Sequence, residues 1–188
     1  MTDAIPRHLR TGVRAAFLLT VVAGGGLAIA LALGAATPPR GDRLYSMTVD
    51  HAYSLSPGQI VDLTAMPIPV PGAPFTLDIT ATFAAAGDPS AAWGISDSAF
   101  RVWLYGNSYF SVNDADRVEF IHLHPTTNTL SVAAAADGTL TVRINEELAW
   151  QGPVDSNGPV KLRLRGGIHS GSEIRIEHIE IYGNRGTG

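Results

Sequence analysis

The chain has 188 residues, contains no cysteine and carries a formal net charge of −4 at pH 7. Its length accommodates one domain and an additional segment, while the lack of cysteine excludes disulfides and a lipid-modified cysteine. From Leu44 onward, eight Lys and Arg residues stand against fifteen Asp and Glu residues, a net charge of −7 that argues against nucleic acid or anionic lipid as the main partner.

The first element in chain order is an apolar segment at residues 15–36, AAFLLTVVAGGGLAIALALGAA, which contains no charged side chain. Twenty-two helical residues span roughly 33 Å, close to the roughly 30 Å hydrocarbon core of a bilayer. Because Arg7, Arg10 and Arg14 precede the segment, we expect its N-terminal side to lie in the cytoplasm.

The same segment has an alternative interpretation as a cleaved secretory signal, because the small residues around 33–36 would suit a signal peptidase. Its apolar run is longer than the roughly 7–15 residues of a signal core, which favours an uncleaved anchor. We therefore predict a single-pass protein of the cell (inner) membrane. Its parts are a cytoplasmic N-terminus at 1–14, a transmembrane helix at 15–36, a linker at 37–43 and a periplasmic or extracellular domain at 44–188.

Small residues recur every four positions in this helix, at Gly26, Ala30 and Gly34. Glycine is less favourable than alanine in a helix by roughly 1 kcal/mol, so a simple lipid-facing anchor does not need it. The spacing would let another membrane subunit, a second copy or a flat cofactor approach the helix backbone closely. A compositional explanation also stands, because the chain is rich in Ala and Gly throughout.

Alternation of apolar and polar residues dominates after the proline-rich segment 66–74, which is expected to be an extended loop. In residues 75–83, FTLDITATF, every second side chain is apolar. In residues 172–183 the apolar positions change from even to odd numbers, which predicts a β-bulge near Glu177 and His178. No amphipathic helix follows residue 44, and about ten short strands predict an all-β fold, an antiparallel two-sheet β-sandwich (jelly roll) preceded by one transmembrane helix.

Residues 141–152, TVRINEELAWQG, contain adjacent glutamates that could be a catalytic pair or a hairpin tip. Glycosidase carboxylates must flank a bound sugar at roughly 5–9 Å, which neighbours on an exposed turn rarely do. We interpret Asn145, Glu146 and Glu147 as the turn of a β-hairpin.

Several stretches between Phe75 and Tyr182 together resemble one superfamily: WGISD, FRVWLYGNSYFSV, TLTVRINEELAWQG, GPVKLRLRGG and SEIRIEHIEIYG. Their order is similar to that of the concanavalin A-like lectin/glucanase superfamily, in its laminin-G-like and bacterial jelly-roll branches. Glu146 departs from the pattern by standing where Gly is usual. The Glu-x-Asp-x-(x)-Glu motif of the catalytic members is missing. Residues 173–177 are the nearest match to it, and they have no central Asp. The resemblance therefore implies the fold and a capacity for binding rather than hydrolysis.

The hairpin at 100–113 provides the candidate binding surface. If Phe100, Val102 and Leu104 face the core, the residues that alternate with them face outward. The predicted outer surface is therefore Arg101, Trp103 and Tyr105, with Tyr109 joining them from the other strand of the hairpin. Aromatic rings with an arginine favour contact with sugar rings or with a protein partner. The alternative is that a loop or a terminal segment covers Trp103 and Tyr105.

Three other groups of residues could form a metal site, a calcium site or a charged binding patch. His122 and His124, at i and i+2 of one expected strand, could ligate a metal but have no evident third ligand. Asp114, Asp116 and Asp137 could bind calcium but do not form a recognisable loop. No metal or cofactor is therefore predicted. A further charged set is interpreted as a solvated ladder rather than a binding patch: Arg143, Lys161, Arg163, Arg165 and Arg175, opposed by Glu173 and Glu177.

These patterns predict a non-catalytic single-pass membrane protein, and the main hypothesis is an accessory or scaffolding subunit of a larger membrane complex. The alternative is a membrane-anchored glycan-binding module of the cell envelope. A hydrolase of unfamiliar design is a distant third hypothesis, because the sequence contains no identifiable nucleophile or acid–base pair. The expected partners are the bilayer, other membrane subunits and, for the alternative, a glycan; nucleic acid is not expected.

Overall fold

Antiparallel strands form the secondary structure in a computed structural model of the chain. The structure describes residues 41–63, 74–84, 88–97, 99–113, 115–154 and 160–183. Within these ranges the strands are β1 (Asp42–Leu55), β2 (Ile60–Asp62), β3 (Phe75–Phe83), β4 (Ala92–Ser96), β5 (Arg101–Tyr105), β6 (Tyr109–Val112), β7 (Val118–Glu119), β8 (Thr127–Ala134), β9 (Thr139–Ile144), β10 (Glu147–Pro153), β11 (Lys161–Arg165) and β12 (Ser172–Gly183). The predicted all-β class is confirmed for this part of the chain.

The predicted transmembrane helix at 15–36, with Gly26, Ala30 and Gly34, lies outside the described residues, as does most of the proline-rich segment. Among the residues that are described, none belongs to a helix that could cross a membrane. The strand β1 begins at Asp42, so the last two residues of the predicted linker, 37–43, already belong to a sheet.

The strands are divided between two six-stranded antiparallel sheets. The first sheet has the order β1-β12-β3-β8-β9-β10 and the second has the order β2-β11-β4-β5-β6-β7. Strands adjacent in sequence are paired in the β4-β5-β6-β7 meander, whereas β11 reaches the other side of β4 from late in the chain. The predicted two-sheet sandwich is therefore confirmed, and its non-sequential pairings bring distant segments side by side.

One apolar core joins the inner faces of both sheets. From the first sheet it includes Leu77, Leu130 and Ile176, and from the second it includes Trp93 and Leu164, all fully buried. Burying such side chains stabilises the fold by roughly 1.5–3 kcal/mol each relative to exposure. Since side chains alternate along a strand, this inner face fixes which residues of β4, β5 and β11 face outward.

The strand β12 contains the predicted bulge. Its pairing with β3 shifts register between Ile176 and His178. Ile174 and Ile176 before the shift and Ile179 and Ile181 after it are all buried, so the extra residue restores the apolar face to the core.

The β9-β10 hairpin is tighter than predicted. Ile144 pairs with Glu147, so the turn contains only Asn145 and Glu146, and the expectation that Glu147 belongs to the turn is wrong. Both turn residues have positive φ values, 51° and 73°, as a mirror-image two-residue turn requires. Asparagine tolerates this conformation better than most residues. The Asn145 side chain also ties the turn to β8, because its Oδ1 accepts from the amide of Thr129 at 2.9 Å.

Substituting Glu146→Gly should stabilise the sandwich by up to about 1 kcal/mol, because glycine adopts a positive φ without the steric strain of a side chain. The greater conformational entropy of glycine in the unfolded chain offsets part of this gain. The measurement is the free energy of unfolding of the full chain by urea. Glu147→Gly is the matched control and should destabilise by about 0.5–1 kcal/mol, since its residue lies in β10. Equal destabilisation by both variants would contradict the turn assignment.

Candidate functional site

A groove of about 340 Å³ lies on the outer face of the second sheet. Strand β5 contributes Arg101, Trp103 and Tyr105, and β11 contributes Arg163 and Arg165. Ser111 of β6, Ile60 of β2 and residues 115–117 after β6 complete the described lining. We refer to this feature as the arginine groove.

The predicted alternation along β5 is confirmed. Phe100, Val102 and Leu104 are buried in the core between the sheets, so Arg101, Trp103 and Tyr105 face the arginine groove. Both aromatic residues are nevertheless only 5% exposed. They form a small apolar cluster with Ala92, against which Tyr109 packs from β6.

The arginines of β11 reach these rings across the intervening strand β4. Arg163 pairs in register with Gly94, which pairs with Trp103 on the far side. In the next row Arg165 pairs with Ala92, and Ala92 pairs with Tyr105. Since the two middle residues are the smallest ones, the long arginine side chains can pass over β4 and contact aromatic rings two strands away.

The distances agree with cation–π contact across this gap. The guanidinium carbon of Arg165 lies 5.6 Å from the ring centroid of Trp103 and 5.3 Å from that of Tyr105, and that of Arg163 lies 6.0 Å from Trp103. Contacts within about 6 Å stabilise by roughly 0.5–2 kcal/mol, more when shielded from water. Guanidinium groups from β11 thus lie over both Trp103 and Tyr105.

Gly94 is required for this arrangement. A Cβ atom at this position would lie 1.9 Å from the carbonyl oxygen of Val102 in β5. That distance is a backbone collision that no side-chain movement relieves. Glycine therefore keeps β4 against β5 and leaves open the space through which Arg163 approaches Trp103.

A further arginine closes the groove from the opposite side. The guanidinium carbon of Arg117 lies 4.0 Å from the Tyr105 ring centroid. The Tyr105 hydroxyl lies 3.3 Å from the Ser111 hydroxyl. The ring of Tyr105 thus contacts the guanidinium groups of Arg117 and Arg165, and its hydroxyl contacts the polar side of β6.

The four lining arginines differ in their partners. The Nε–H of Arg163 donates to Asp62 Oδ1 of β2 at 2.6 Å. Arg165 donates from a terminal nitrogen to the Ser90 carbonyl at 3.4 Å, while its Nε is shielded from water and has no acceptor among the described residues. Asp116 is the one carboxylate in the described lining, so the site keeps excess positive charge.

The interpretation of Arg163 and Arg165 as part of a solvated ladder is therefore wrong, because the register places them over Trp103 and Tyr105. Arg175 also departs from it, since its partner is Asp50 at 3.0 Å rather than Glu173 or Glu177. Sequence reasoning also missed Arg117 and Ser111. The sequence does contain one signal for this site, the alternation of small and large residues in Ala92-Trp93-Gly94-Ile95. It indicates a strand whose outward-facing residues are too small to fill the space above it.

Asp88 links the segment before β4 to the loop after β11. Its carboxylate accepts the amide and hydroxyl of Ser90, just before β4, and the amides of His169 and Ser170, after β11. The Ser90 hydroxyl first, and then these amides, hold the pKa of Asp88 far below its ordinary value. Gly167 permits the approach, since a Cβ there would lie 2.0 Å from the Asp88 Cβ.

The candidate metal ligands are not arranged as the sequence suggested. His122 and His124 lie in the turn between β7 and β8, not on a strand. Asp116 lines the groove, Asp137 accepts the Thr139 amide in the β8-β9 turn, and Asp114 lies outside the described residues. The described part of the chain contains no group of three or more His, Asp or Glu residues placed to hold a metal.

A cluster of polar side chains surrounds His178 on β1 and β12 of the first sheet. Ser46 Oγ and Glu180 Oε1 both lie 3.4 Å from Nε2 of His178, and Thr48 Oγ1 lies 3.4 Å from its Nδ1. All three distances are longer than the roughly 2.6–3.2 Å of a catalytic hydrogen bond. The Tyr182 hydroxyl, which donates to Glu180 at 2.8 Å, is the main cause that lowers the pKa of Glu180.

No model of a known protein family matches the sequence, and a search of curated proteins gives no match. Among solved structures, the binding domain of botulinum neurotoxin DC in complex with SialylT is similar with a TM-score of 0.49 and 10% identity, over 77% of this chain and 42% of that chain. The Emp47p carbohydrate recognition domain gives a TM-score of 0.44 and 12% identity, over 78% and 92%.

The alginate lyase AlgAT5 from polysaccharide lyase family 7 gives a TM-score of 0.43 and 15% identity, over 58% of each chain. The present chain spans less than half of the neurotoxin chain that it matches. Similarity at this level assigns no family and identifies no ligand.

Substituting Asp88→Asn should lower the melting temperature of the full chain at pH 7, because an amide group would face the His169 and Ser170 amides. The lowered pKa means that the ionised carboxylate stabilises the fold above the unfolded pKa of about 3.9, and this contribution is lost as pH falls toward the folded pKa. The difference between the wild type and the variant should therefore narrow below about pH 4. Asp50→Asn, which removes an exposed ion pair, should change stability by less than about 1 kcal/mol.

A difference between the wild type and Asp88→Asn that does not vary between pH 7 and pH 3 would contradict the assignment of a stabilising ionised carboxylate.

Proposed function

We propose that the sandwich is a non-catalytic carbohydrate-binding module whose site is the arginine groove. The observation that carries the proposal is the combination, in one concave site, of a Trp–Tyr pair with several guanidinium groups. The predicted surface residues Arg101, Trp103 and Tyr105 line this site, whereas Tyr109 lies outside its lining and packs against Trp103 and Tyr105.

The chemistry of the groove suits a sugar. Pyranose rings present hydroxyl groups around their edges, and arginine and hydroxyl side chains offer many hydrogen-bond donors in a fixed arrangement. The Ser111 and Tyr105 hydroxyls can both donate and accept. The volume of about 340 Å³ lies within the roughly 300–1,000 Å³ typical of small-ligand sites.

A flat protein-docking surface fits these residues less well. Protein interfaces depend on exposed aromatic and arginine anchors that enter a pocket on the partner. Trp103 and Tyr105 are almost fully covered, so a ligand entering the groove meets guanidinium edges before it meets a ring. This favours the glycan-binding hypothesis over the accessory-subunit hypothesis for this face.

The carboxylates of the groove support binding rather than hydrolysis. Glycoside hydrolysis requires two carboxyl groups on either side of the scissile bond. In the described lining Asp116 is a single carboxylate, and nearby Asp62 is engaged by Arg163.

We further propose that the apolar segment 15–36 anchors the module in the inner membrane, with the sandwich on the outer side.

The test is binding of the purified full chain, in mild detergent, to an array of neutral and acidic glycans. Arg117→Ala should weaken binding by about tenfold or more without unfolding the domain, because Arg117 is exposed and its loss removes one cation–π contact and its donors. Trp103→Ala should abolish binding. Arg175→Ala, an exposed arginine of the first sheet, is the matched control and should bind as the wild type does.

Trp103→Ala leaves a cavity and can fail to fold, so circular dichroism accompanies it and Arg117→Ala keeps the test decisive. The proposal fails if the folded wild type binds no glycan on the array, or if Arg175→Ala weakens binding as much as Arg117→Ala does.

A further inference from the structure

Resting on the proposed function, we infer that the arginine groove selects glycans that carry carboxylate or sulfate groups. The ligand class follows from the charge of the site, from the pairing of its arginines and from the way Tyr105 orients two of them. Neutral sugars would satisfy the hydroxyl donors but would leave the positive charge of the groove unbalanced.

Positive charge is concentrated in this groove although the domain as a whole is negatively charged. From Leu44 onward the sequence contains eight Lys and Arg residues and a net charge of −7, yet four of the eight line one groove: Arg101, Arg117, Arg163 and Arg165. An acidic surface around a basic concave site repels anions elsewhere and focuses the field inside the groove. The distribution therefore favours an anionic group bound at this one place.

The charge inside the groove is only partly balanced by the protein. Arg163 is neutralised by Asp62 at 2.6 Å. Among the described residues, Arg117 and Arg165 have no carboxylate within ion-pair distance. The buried Nε–H of Arg165 also has no acceptor there. A carboxylate or sulfate on a ligand would supply the counter-charge that Arg117 and Arg165 lack among the described residues.

Tyr105 brings the two unbalanced arginines together. Their guanidinium carbons lie 4.0 Å and 5.3 Å from its ring centroid, so they are no more than 9.3 Å apart, the sum of those distances. A guanidinium group that packs against a ring keeps its N–H edge available, and that edge matches a carboxylate or sulfate with two parallel hydrogen bonds. Carboxylate or sulfate groups on neighbouring sugars of one chain can therefore engage both arginines.

The experiment is calorimetric titration of the full chain in mild detergent with three acidic hexasaccharides: oligogalacturonate, hyaluronan and chondroitin sulfate. Each is paired with its neutral counterpart, carboxyl-reduced or both carboxyl-reduced and desulfated, so that only the charge changes. At least one acidic ligand should bind about tenfold or more tightly than its neutral counterpart, and its affinity should fall with added salt. Comparison of the two carboxylate ligands with chondroitin sulfate, which carries both groups, shows whether sulfate adds to the affinity.

Arg117→Gln and Arg165→Gln keep hydrogen-bond donors while removing charge, so each should reduce the preference for the acidic ligand by about tenfold. Arg175→Gln is the control for general electrostatics and should leave the preference unchanged. Equal affinity for acidic and neutral members would overturn this inference while leaving carbohydrate binding intact. Failure of the chain to bind any sugar, here and on the glycan array, would overturn the proposed function as well.

Discussion

The groove depends on one steric constraint, the absence of a side chain at Gly94. Strand β4 lies between the arginines of β11 and the rings of β5, and a Cβ at Gly94 would collide with the Val102 carbonyl at 1.9 Å. With glycine there and alanine at residue 92, Arg163 and Arg165 extend over β4 and cover Trp103 and Tyr105. The glycine therefore serves both the strand pairing and the formation of a positively charged site.

Other features hold this arrangement in place. The core side chains of β4, β5 and β11 fix their outward faces, because alternate residues are buried against the first sheet. The carboxylate of Asp88 bonds to the turn before β4 and to the loop after β11, so the relative position of these two strands is secured at one end. Packing thus determines which arginines meet, and the local charges determine what they can bind.

Much of the fold could be predicted from sequence because its signal is local. The alternation in β5 and the phase change near His178 are readable without a partner, and both are confirmed. The turn was predicted one residue too long, because glutamate rarely adopts the positive φ that a two-residue turn requires. The tight pairing of β9 with β10 enforces this conformation at Glu146 and leaves Glu147 in the strand. The site was less accessible, since the neighbours of a residue across a sheet are not encoded locally. Arg163 lies 60 residues after Trp103, and Arg165 lies 60 residues after Tyr105. Only the sheet order β11-β4-β5 brings them together.

The most direct test of the account is NMR observation of the indole N–H signals of the full chain during titration with oligogalacturonate and with hyaluronan oligosaccharides. Trp93 lies in the core and Trp150 lies on β10 of the first sheet, so both act as internal controls for Trp103. If the arginine groove binds acidic glycans, the Trp103 signal should shift saturably, with little change in the other two. A saturable shift of Trp150 with an unchanged Trp103, or no shift with either ligand, would contradict this binding.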